Sequence, residues 1–101
     1  MNIAEEIRRK ELKDIETQME TAQGRRLMWR FLEGSNVFAT PFDGPGMAFR
    51  EGGRRMGMII LRDVMSATPK KFTVMMMEAD EARERINLRI LKEQEESINE
   101  E

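Results

Sequence analysis

The chain has 101 residues, of which 36% are charged and 40% apolar, and its formal net charge is −2. This composition is typical of one small helical domain with a modest core, and it shows no charge excess that would identify a partner. The absence of Cys and His excludes disulfides, imidazole chemistry and the usual zinc sites, and no apolar stretch reaches the roughly 20 residues that a membrane-spanning helix needs.

Charge is distributed unevenly along the chain. Residues 1–20 carry a net charge of −2, residues 21–71 carry +5 and residues 72–101 carry −5. A basic middle between two acidic arms predicts ion pairs between the arms and the middle, within one chain or between copies.

The first predicted helix runs from residue 3 to about residue 20. Asn2 is its expected N-cap, and Glu5 lies three residues later, as in a capping box. Its apolar stripe is thin and shifts sideways between Ile7 and Leu12, which are five positions apart. A helix with so narrow an apolar face needs a packing partner. We therefore assign residues 1–20 to an N-terminal helical arm.

A second helix is predicted from Ala22 to Leu32, with Thr21 as its N-cap. Trp29 lies off the apolar face of this helix. Two alternatives stay open for Trp29: it covers the edge of the core, or it contacts another subunit, since Trp is favoured at interfaces.

The segment Glu33–Gly46 is predicted to be a loop, because four of its fourteen residues are Gly or Pro. It nevertheless contains three large apolar side chains: Val37, Phe38 and Phe42. We expect these three to be pinned to the core.

The stretch from Pro45 to Ala67 is predicted to be the helix around which the others pack, with Asp43 or Gly44 as its cap. Steps of three and four place one apolar stripe on a single face, formed by Phe49, Gly52, Gly53, Met56, Ile59, Ile60 and Val64. The two glycines predict a notch where another backbone comes close. Met58, Leu61 and Met65 predict a second apolar face, which is typical of a helix buried on more than one side.

The last predicted helix has Thr68 as its N-cap and Pro69 as its first residue, and it runs to about Ser97. Its early half is apolar enough to join the core, whereas its later half carries a thin apolar stripe among charges and is expected to project. The sequence therefore predicts an all-α fold of three to four helices. Residues 21–80 would form a helical core module and residues 81–101 a C-terminal extension.

No group of residues indicates catalysis. Without Cys and His, a nucleophile would be Ser, Thr, Lys or a carboxylate, and no serine has an evident base near it in sequence. The phosphate-loop patterns GxxxxGK[ST] and GxGxxG are absent. We expect a protein that is not an enzyme and that has no catalytic, cofactor-binding or metal-binding residues.

Five arginines are candidates for holding anions: Arg25, Arg26, Arg50, Arg54 and Arg55. They could bind phosphates, or they could form salt bridges with carboxylates of the acidic arms. We favour the carboxylates, because DNA-binding modules usually keep a basic excess and this chain is net acidic. Glu51 is expected to pair with Arg55, four positions later.

The region from about Thr21 to Met65 resembles a family of small proteins in tailed-phage genomes, first named from a Bordetella podovirus. The resemblance rests on three groups of residues: Gly24-Arg25-Arg26, Val37-Phe38, and Phe49-x-Glu51-Gly52-x-Arg54-Arg55-x-Gly57 before Ile59-Ile60-Leu61. It implies a small, mainly helical, virion-associated or assembly protein without catalysis.

On this basis we expect a bacteriophage structural protein that packs in several copies at the portal, the head–tail junction or the internal ejection core. It would be made in the host cytoplasm and would bind copies of itself and other virion proteins, with non-specific DNA contact left open. The interface or packing candidates are Trp29, Phe49, Gly52, Gly53, Met56 and Ile60. Two alternatives are a nucleic-acid-binding packaging accessory protein and a scaffold-like factor that leaves before maturation.

Overall fold

The structure, a computed structural model, describes residues 2–39 and 44–100. These residues form four helices and no strand: α1 (Ile3–Met19), α2 (Ala22–Gly34), α3 (Met47–Ala67) and α4 (Pro69–Glu100). The predicted all-α class with a long C-terminal helix is confirmed. Phe42 and Asp43, which were expected to pin the loop and to cap α3, lie outside the described residues.

Local hydrogen bonds explain where the first two helices begin. The side chain of Asn2 accepts a hydrogen bond from the backbone N–H of Glu5 at 2.8 Å. Thr21 Oγ1 accepts one from the N–H of Gly24 at 3.0 Å. Both predicted N-caps are therefore confirmed, and each satisfies a backbone donor that the first helical turn leaves free.

Two helix boundaries differ from the prediction. α2 continues to Gly34, two residues beyond Leu32. α3 begins at Met47 with Gly46 as its N-cap, so Pro45 precedes the helix and lies outside its first turn. Gly46 has a positive φ of 82°, a backbone conformation that glycine adopts without steric cost.

The core is small and takes one side chain from each helix. α2 and α3 both pack against the other three helices. Among the residues that the structure describes, four apolar side chains are fully buried: Met19, Leu32, Val64 and Met75. Since four such side chains make a very small core, the partly buried residues around them carry much of the packing.

The turn between α1 and α2 depends on a glycine. A Cβ atom at Gly24 would overlap with the backbone carbonyl oxygen of Gln18. The absence of a side chain lets the first turn of α2 lie directly against the C-terminal end of α1.

The packed face of α3 overlaps the predicted one in part. Phe49 is 89% exposed and Met56 is 52% exposed. Ile60 and Val64 of the predicted stripe do pack on the core, which confirms Ile60 as a packing residue, and Gly57 lies on the same face. At 3.6 residues per turn the centre of this face is rotated by roughly 60° from the centre of the predicted stripe.

The predicted second buried face of α3 is also corrected. Met58 and Met65 are about half exposed, whereas Leu61 packs against the core. α3 is therefore buried along one face, and its opposite face carries exposed apolar side chains.

The chain exposes far more surface than a compact domain of its size. Its accessible surface is 8118 Å², against about 5,900 Å² for a compact chain of this mass. The radius of gyration is 18.3 Å, against about 13 Å for a compact domain of this length. Residues 83–100 of α4 are all exposed, which confirms the prediction that the later half of this helix projects.

Candidate functional site

Arg25 joins three helices at one end of the core. Its Nε donates a hydrogen bond to Glu78 Oε1 at 2.6 Å, and its Nη2 donates one to Glu78 Oε2 at 3.2 Å. Its Nη1 donates to the backbone carbonyl oxygen of Met19 at 2.8 Å. Arg25 on α2 thereby links the last residue of α1 to α4, with the two-pronged geometry that suits guanidinium and carboxylate groups. We call this arrangement the Arg25 clasp.

A second ion pair fastens α1 to α3. Arg8 Nη2 donates a hydrogen bond of 2.6 Å to Asp63 Oδ1, and Asp63 is 6% exposed. Arg62 lies 3.7 Å from the same carboxylate. The Arg25 clasp pairs a carboxylate of the C-terminal arm with an arginine of the basic middle, as the charge distribution predicts. The pair between Arg8 and Asp63 has the opposite polarity, since its arginine comes from the N-terminal arm and its carboxylate from the middle.

The other candidate arginines lie near the surface. Arg26, Arg50 and Arg55 are exposed. Glu51 lies 3.9 Å from Arg54, so the expected pairing of Glu51 with Arg55 is wrong. The structure thus brings one of the five candidates, Arg25, into a closely bonded site and leaves the other four spread over α2 and α3.

The aromatic candidate Trp29 lies at the edge of the core. It is partly buried and packs against the core residues. Its ring stacks on Phe38, with the ring centroids 5.2 Å apart. Val37 packs on the core as expected, whereas Phe38 is 48% exposed and contacts the edge of the core through Trp29.

The predicted glycine notch lies elsewhere on α3. Gly52 and Gly53 are exposed, and no atom lies within 4 Å of a Cβ built at either position. A Cβ at Gly57, in contrast, would overlap with the side chain of Ser35 and lie 3.3 Å from Cβ of Val37. The close approach of α3 to the end of α2 therefore occurs at Gly57. As contacts with another copy, Gly52 and Gly53 stay predictions.

A groove of about 1070 Å³ lies between α2 and the middle of α4. We call it the α2–α4 groove. Leu27, Ala82 and Ile86 contribute apolar surface to it, and Arg26, Arg30 and Arg85 contribute positive charge. Leu27 and Ile86 are both more than half exposed. The groove therefore offers an apolar surface with basic groups beside it, a combination suited to an amphipathic acidic segment.

Sequence reasoning missed Asp63, Glu78 and Gly57. Asp63 is the one carboxylate within a stretch of apolar and basic residues from Met56 to Met65, and a charge in an apolar stretch is a usable signal for a buried pair. Glu78 follows three methionines and lies on the same helical face as Met75. Helical spacing does not distinguish Gly57 from Gly53; the signal that could have done so is the family pattern, which contains Gly57 and leaves position 53 open.

The two ion pairs predict acid sensitivity. The hydrogen bond from Arg8 lowers the pKa of Asp63, and this effect is larger than the opposing effect of burial, which raises the pKa. The hydrogen bond from Arg25 likewise lowers the pKa of Glu78. In the unfolded chain these carboxyls titrate near pH 4, so in acid the unfolded state binds more protons than the folded state. Their stabilisation is complete above that range and is lost as the pH falls below it.

We therefore expect the melting temperature to fall between about pH 5 and pH 3, in the titration range of these carboxyls. An Asp63→Asn, Glu78→Gln double variant should be less stable at neutral pH and should show a smaller fall, measured by circular dichroism. Asp80→Asn on the exposed side of α4 is the matched control. An equally steep fall in the double variant would contradict this prediction.

Comparisons with known proteins give one result. A family model described as Bbp19-like phage protein matches residues 16–77. The match covers α2, α3 and the adjoining ends of α1 and α4, and it extends beyond the region of the resemblance on both sides. No curated protein and no solved structure matches the chain. In the part of the chain that the structure describes, no helix is long and apolar enough to cross a membrane.

Proposed function

The chain belongs to the Bbp19-like phage protein family, which is named from a Bordetella phage, and we propose that it is a non-enzymatic structural or assembly protein of the phage particle. It packs in several copies with itself and with other virion proteins. The portal, the head–tail junction and the internal ejection core are the proposed locations. Its proposed site of synthesis is the host cytoplasm.

The observation that carries this proposal is the large exposed surface around a very small core. The chain exposes about 2,200 Å² more than a compact domain of its mass. A standard interface buries about 800 Å² on each partner. The excess surface is therefore sufficient for more than one interface per copy, as a repeated subunit in an assembly requires.

The ionisable groups also favour a structural role. Among the described residues, Asp63 and Glu78 are the carboxyls with a lowered pKa, and each lies in an ion pair with an arginine that joins two helices. Perturbed groups at catalytic sites face a cleft in which a substrate can reach them. Asp63 is buried between helices. Glu78 does line the α2–α4 groove, but both of its carboxylate oxygens accept hydrogen bonds from Arg25, so both groups hold helices of this chain together.

The structure weakens the alternative in which the arginines bind phosphates. Arg25 donates all of its described hydrogen bonds to Glu78 and Met19. A phosphate would have to replace that short bidentate bond to Glu78.

The proposal predicts that the chain is present in mature particles. Quantitative mass spectrometry of purified mature virions should detect it at a fixed ratio to the major capsid protein. Particles stopped before DNA packaging serve as the comparison. A scaffold-like protein would be present in the early particles and absent from the mature ones, and that result would contradict the proposal.

A further inference from the structure

The described part of the chain leaves one face of α3 uncovered along the whole helix. Its residues recur at steps of three and four and are all exposed: Ala48, Gly52, Arg55, Ile59, Arg62 and Ser66. We call these six residues the outer face of α3. The first five of them line a shallow groove of about 650 Å³, together with Glu51 and Met58. The outer face lies on the side of α3 away from Ile60 and Val64, which pack on the core.

The outer face is low near the start of α3. A Cβ atom built at Gly52 meets no side chain and no other helix within 4 Å. Ala48, one turn earlier, is also small. A long side chain of a partner can therefore lie across α3 at this point without displacing a side chain.

Opposite charges lie beside the two ends of the outer face. The side chain of Glu51 is 44% exposed, and Arg54 lies 3.9 Å from it. The side chain of Arg62 is 66% exposed and lies 3.7 Å from Asp63. That carboxylate already accepts a hydrogen bond of 2.6 Å from Arg8. Glu51 and Arg62 therefore have only long ion-pair contacts within the chain, and both remain accessible to a second copy.

We propose that the outer face of α3 packs against the same face of a second copy of this chain. The two α3 helices lie antiparallel about a two-fold axis at residue 57, the midpoint of Met47–Ala67. In this register the two helices overlap over their full length. Ala48 lies opposite Ser66 of the second copy, and Arg55 lies beside Ile59 of the second copy. Both ends make the same contacts, because a two-fold interface is reciprocal.

Charge complementarity selects the antiparallel arrangement. In a parallel pair each residue meets its own counterpart, so two copies of Glu51 and two copies of Arg62 would face each other. Glu51 and Arg62 lie on the same flank of the outer face, about 60° and 40° from the line through Ala48 and Ser66. An antiparallel two-fold pair sets this flank against the same flank of the partner. Arg62 then crosses the partner at Gly52 and reaches Glu51.

Apolar side chains fill the centre of the pair. Ile59 and Met56 lie on the other flank, about 20° and 80° from the same line. They are 38% and 52% exposed in the single chain. The axis passes between residues 56 and 59, so the two copies of these side chains form one apolar cluster beside it. This pairing rests on the proposed function, since it assigns one of the contacts between copies.

A mixture of two single-cysteine variants tests the register, because the chain has no native Cys. Ala48→Cys and Ser66→Cys lie about 27 Å apart on one helix, so a disulfide between them joins two chains. On mild oxidation, we expect the mixture to form a heterodimer at least tenfold faster than either variant alone forms a homodimer. Met65→Cys replaces Ser66→Cys in the matched control, since Met65 is also exposed but faces about 100° away. Equal rates in the two mixtures would overturn the proposal.

A charge swap tests the recognition chemistry in the cysteine-free chain. Glu51→Arg alone and Arg62→Glu alone should each weaken self-association at least tenfold in sedimentation experiments, and the two changes together should restore it. Arg30→Glu, at an exposed position on α2, has the same change in charge as Arg62→Glu and should leave self-association unchanged. Circular dichroism verifies that each variant is folded. An equal loss in the control, or no restoration in the double variant, would overturn the proposal.

The two adjacent glycines test the position of Arg62 in the pair. Gly52→Lys places a long basic side chain where Arg62 of the partner crosses α3, so it should weaken self-association at least tenfold. Gly53→Lys is the matched control, because position 53 is equally open but faces about 100° away. Equal effects at the two positions would overturn the proposal.

The same experiments decide between a second copy and a nucleic acid. A chain that stays monomeric and binds duplex DNA, with a salt dependence that Arg55→Ala and Arg62→Ala reduce, would show that the outer face holds phosphates. That result would overturn the docking proposal. A chain found in mature particles without this dimer would overturn the docking site alone, whereas its absence from mature particles would overturn the proposed function.

Discussion

Replacing Arg25 with Met should lower the free energy of unfolding by roughly 3 kcal/mol. Met has a similar length but no charge, so Glu78 loses both of its hydrogen bonds to the guanidinium and the carbonyl oxygen of Met19 loses one. A partly buried carboxylate that loses its ion-pair partner destabilises the folded state. Glu78 is partly exposed, so the loss of stability should be smaller than for a fully buried ion pair.

Urea unfolding at neutral pH measures this effect. The protein concentration should be low enough to keep the chain monomeric, so that contacts between copies do not contribute. Arg55→Met is the matched control, because Arg55 is exposed on α3 and forms no ion pair within the described residues; it should change stability by less than about 0.5 kcal/mol. Equal effects at the two positions would show that the Arg25 clasp contributes nothing specific.

Local signals were sufficient to predict the four helices. Asn2, Thr21 and Pro69 mark helix starts through hydrogen bonds or a fixed φ that involve neighbouring residues only. The start of α3 was predicted less well, since several turn residues in succession could each have preceded it. Here the N-cap is Gly46. Its positive φ is the one that a type II turn requires of the residue after Pro45, and the N–H of Met47 donates to the carbonyl oxygen of Gly44 across this turn.

The partners of the ion pairs could be predicted only as a class. The charge blocks favoured carboxylates as partners of the arginines, and Arg25 does bind a carboxylate. Glu78 is 53 residues away from Arg25 and Asp63 is 55 residues away from Arg8. Such pairs depend on how the helices are placed in three dimensions, and the spacing of residues within one helix does not encode that placement.

The packed face of α3 was mispredicted for a related reason. Apolar residues occur almost all round the second half of this helix, so their periodicity alone does not select one face. Two contacts with other helices select it: the close approach of Ser35 to Gly57 and the ion pair between Arg8 and Asp63. The predicted stripe is left largely exposed as a result, and Phe49 and Met56 remain candidates for contacts with other proteins.

Gly57→Ala should lower the free energy of unfolding by roughly 2 kcal/mol, the usual range for overpacking. The new Cβ would overlap with the side chain of Ser35 and lie 2.7 Å from its Cβ, so the end of α2 and the middle of α3 would have to separate. Gly53→Ala, one turn earlier on the same helix, meets no atom within 4 Å. It should stabilise the chain by up to about 1 kcal/mol, because Ala has the higher helix propensity.

A double variant identifies the cause of the Gly57 effect. Ser35→Gly removes both atoms that a Cβ at position 57 would overlap, although it also removes the hydrogen bond from Ser35 Oγ to the carbonyl oxygen of Leu32. In a double-mutant cycle, Gly57→Ala should therefore cost much less in the Ser35→Gly background than in the native one. Two results would show that the close contact of α3 with the end of α2 is not at Gly57: an equal cost of Gly57→Ala in both backgrounds, or a larger cost for Gly53→Ala. Either result would make the face predicted from the apolar stripe the better description of α3.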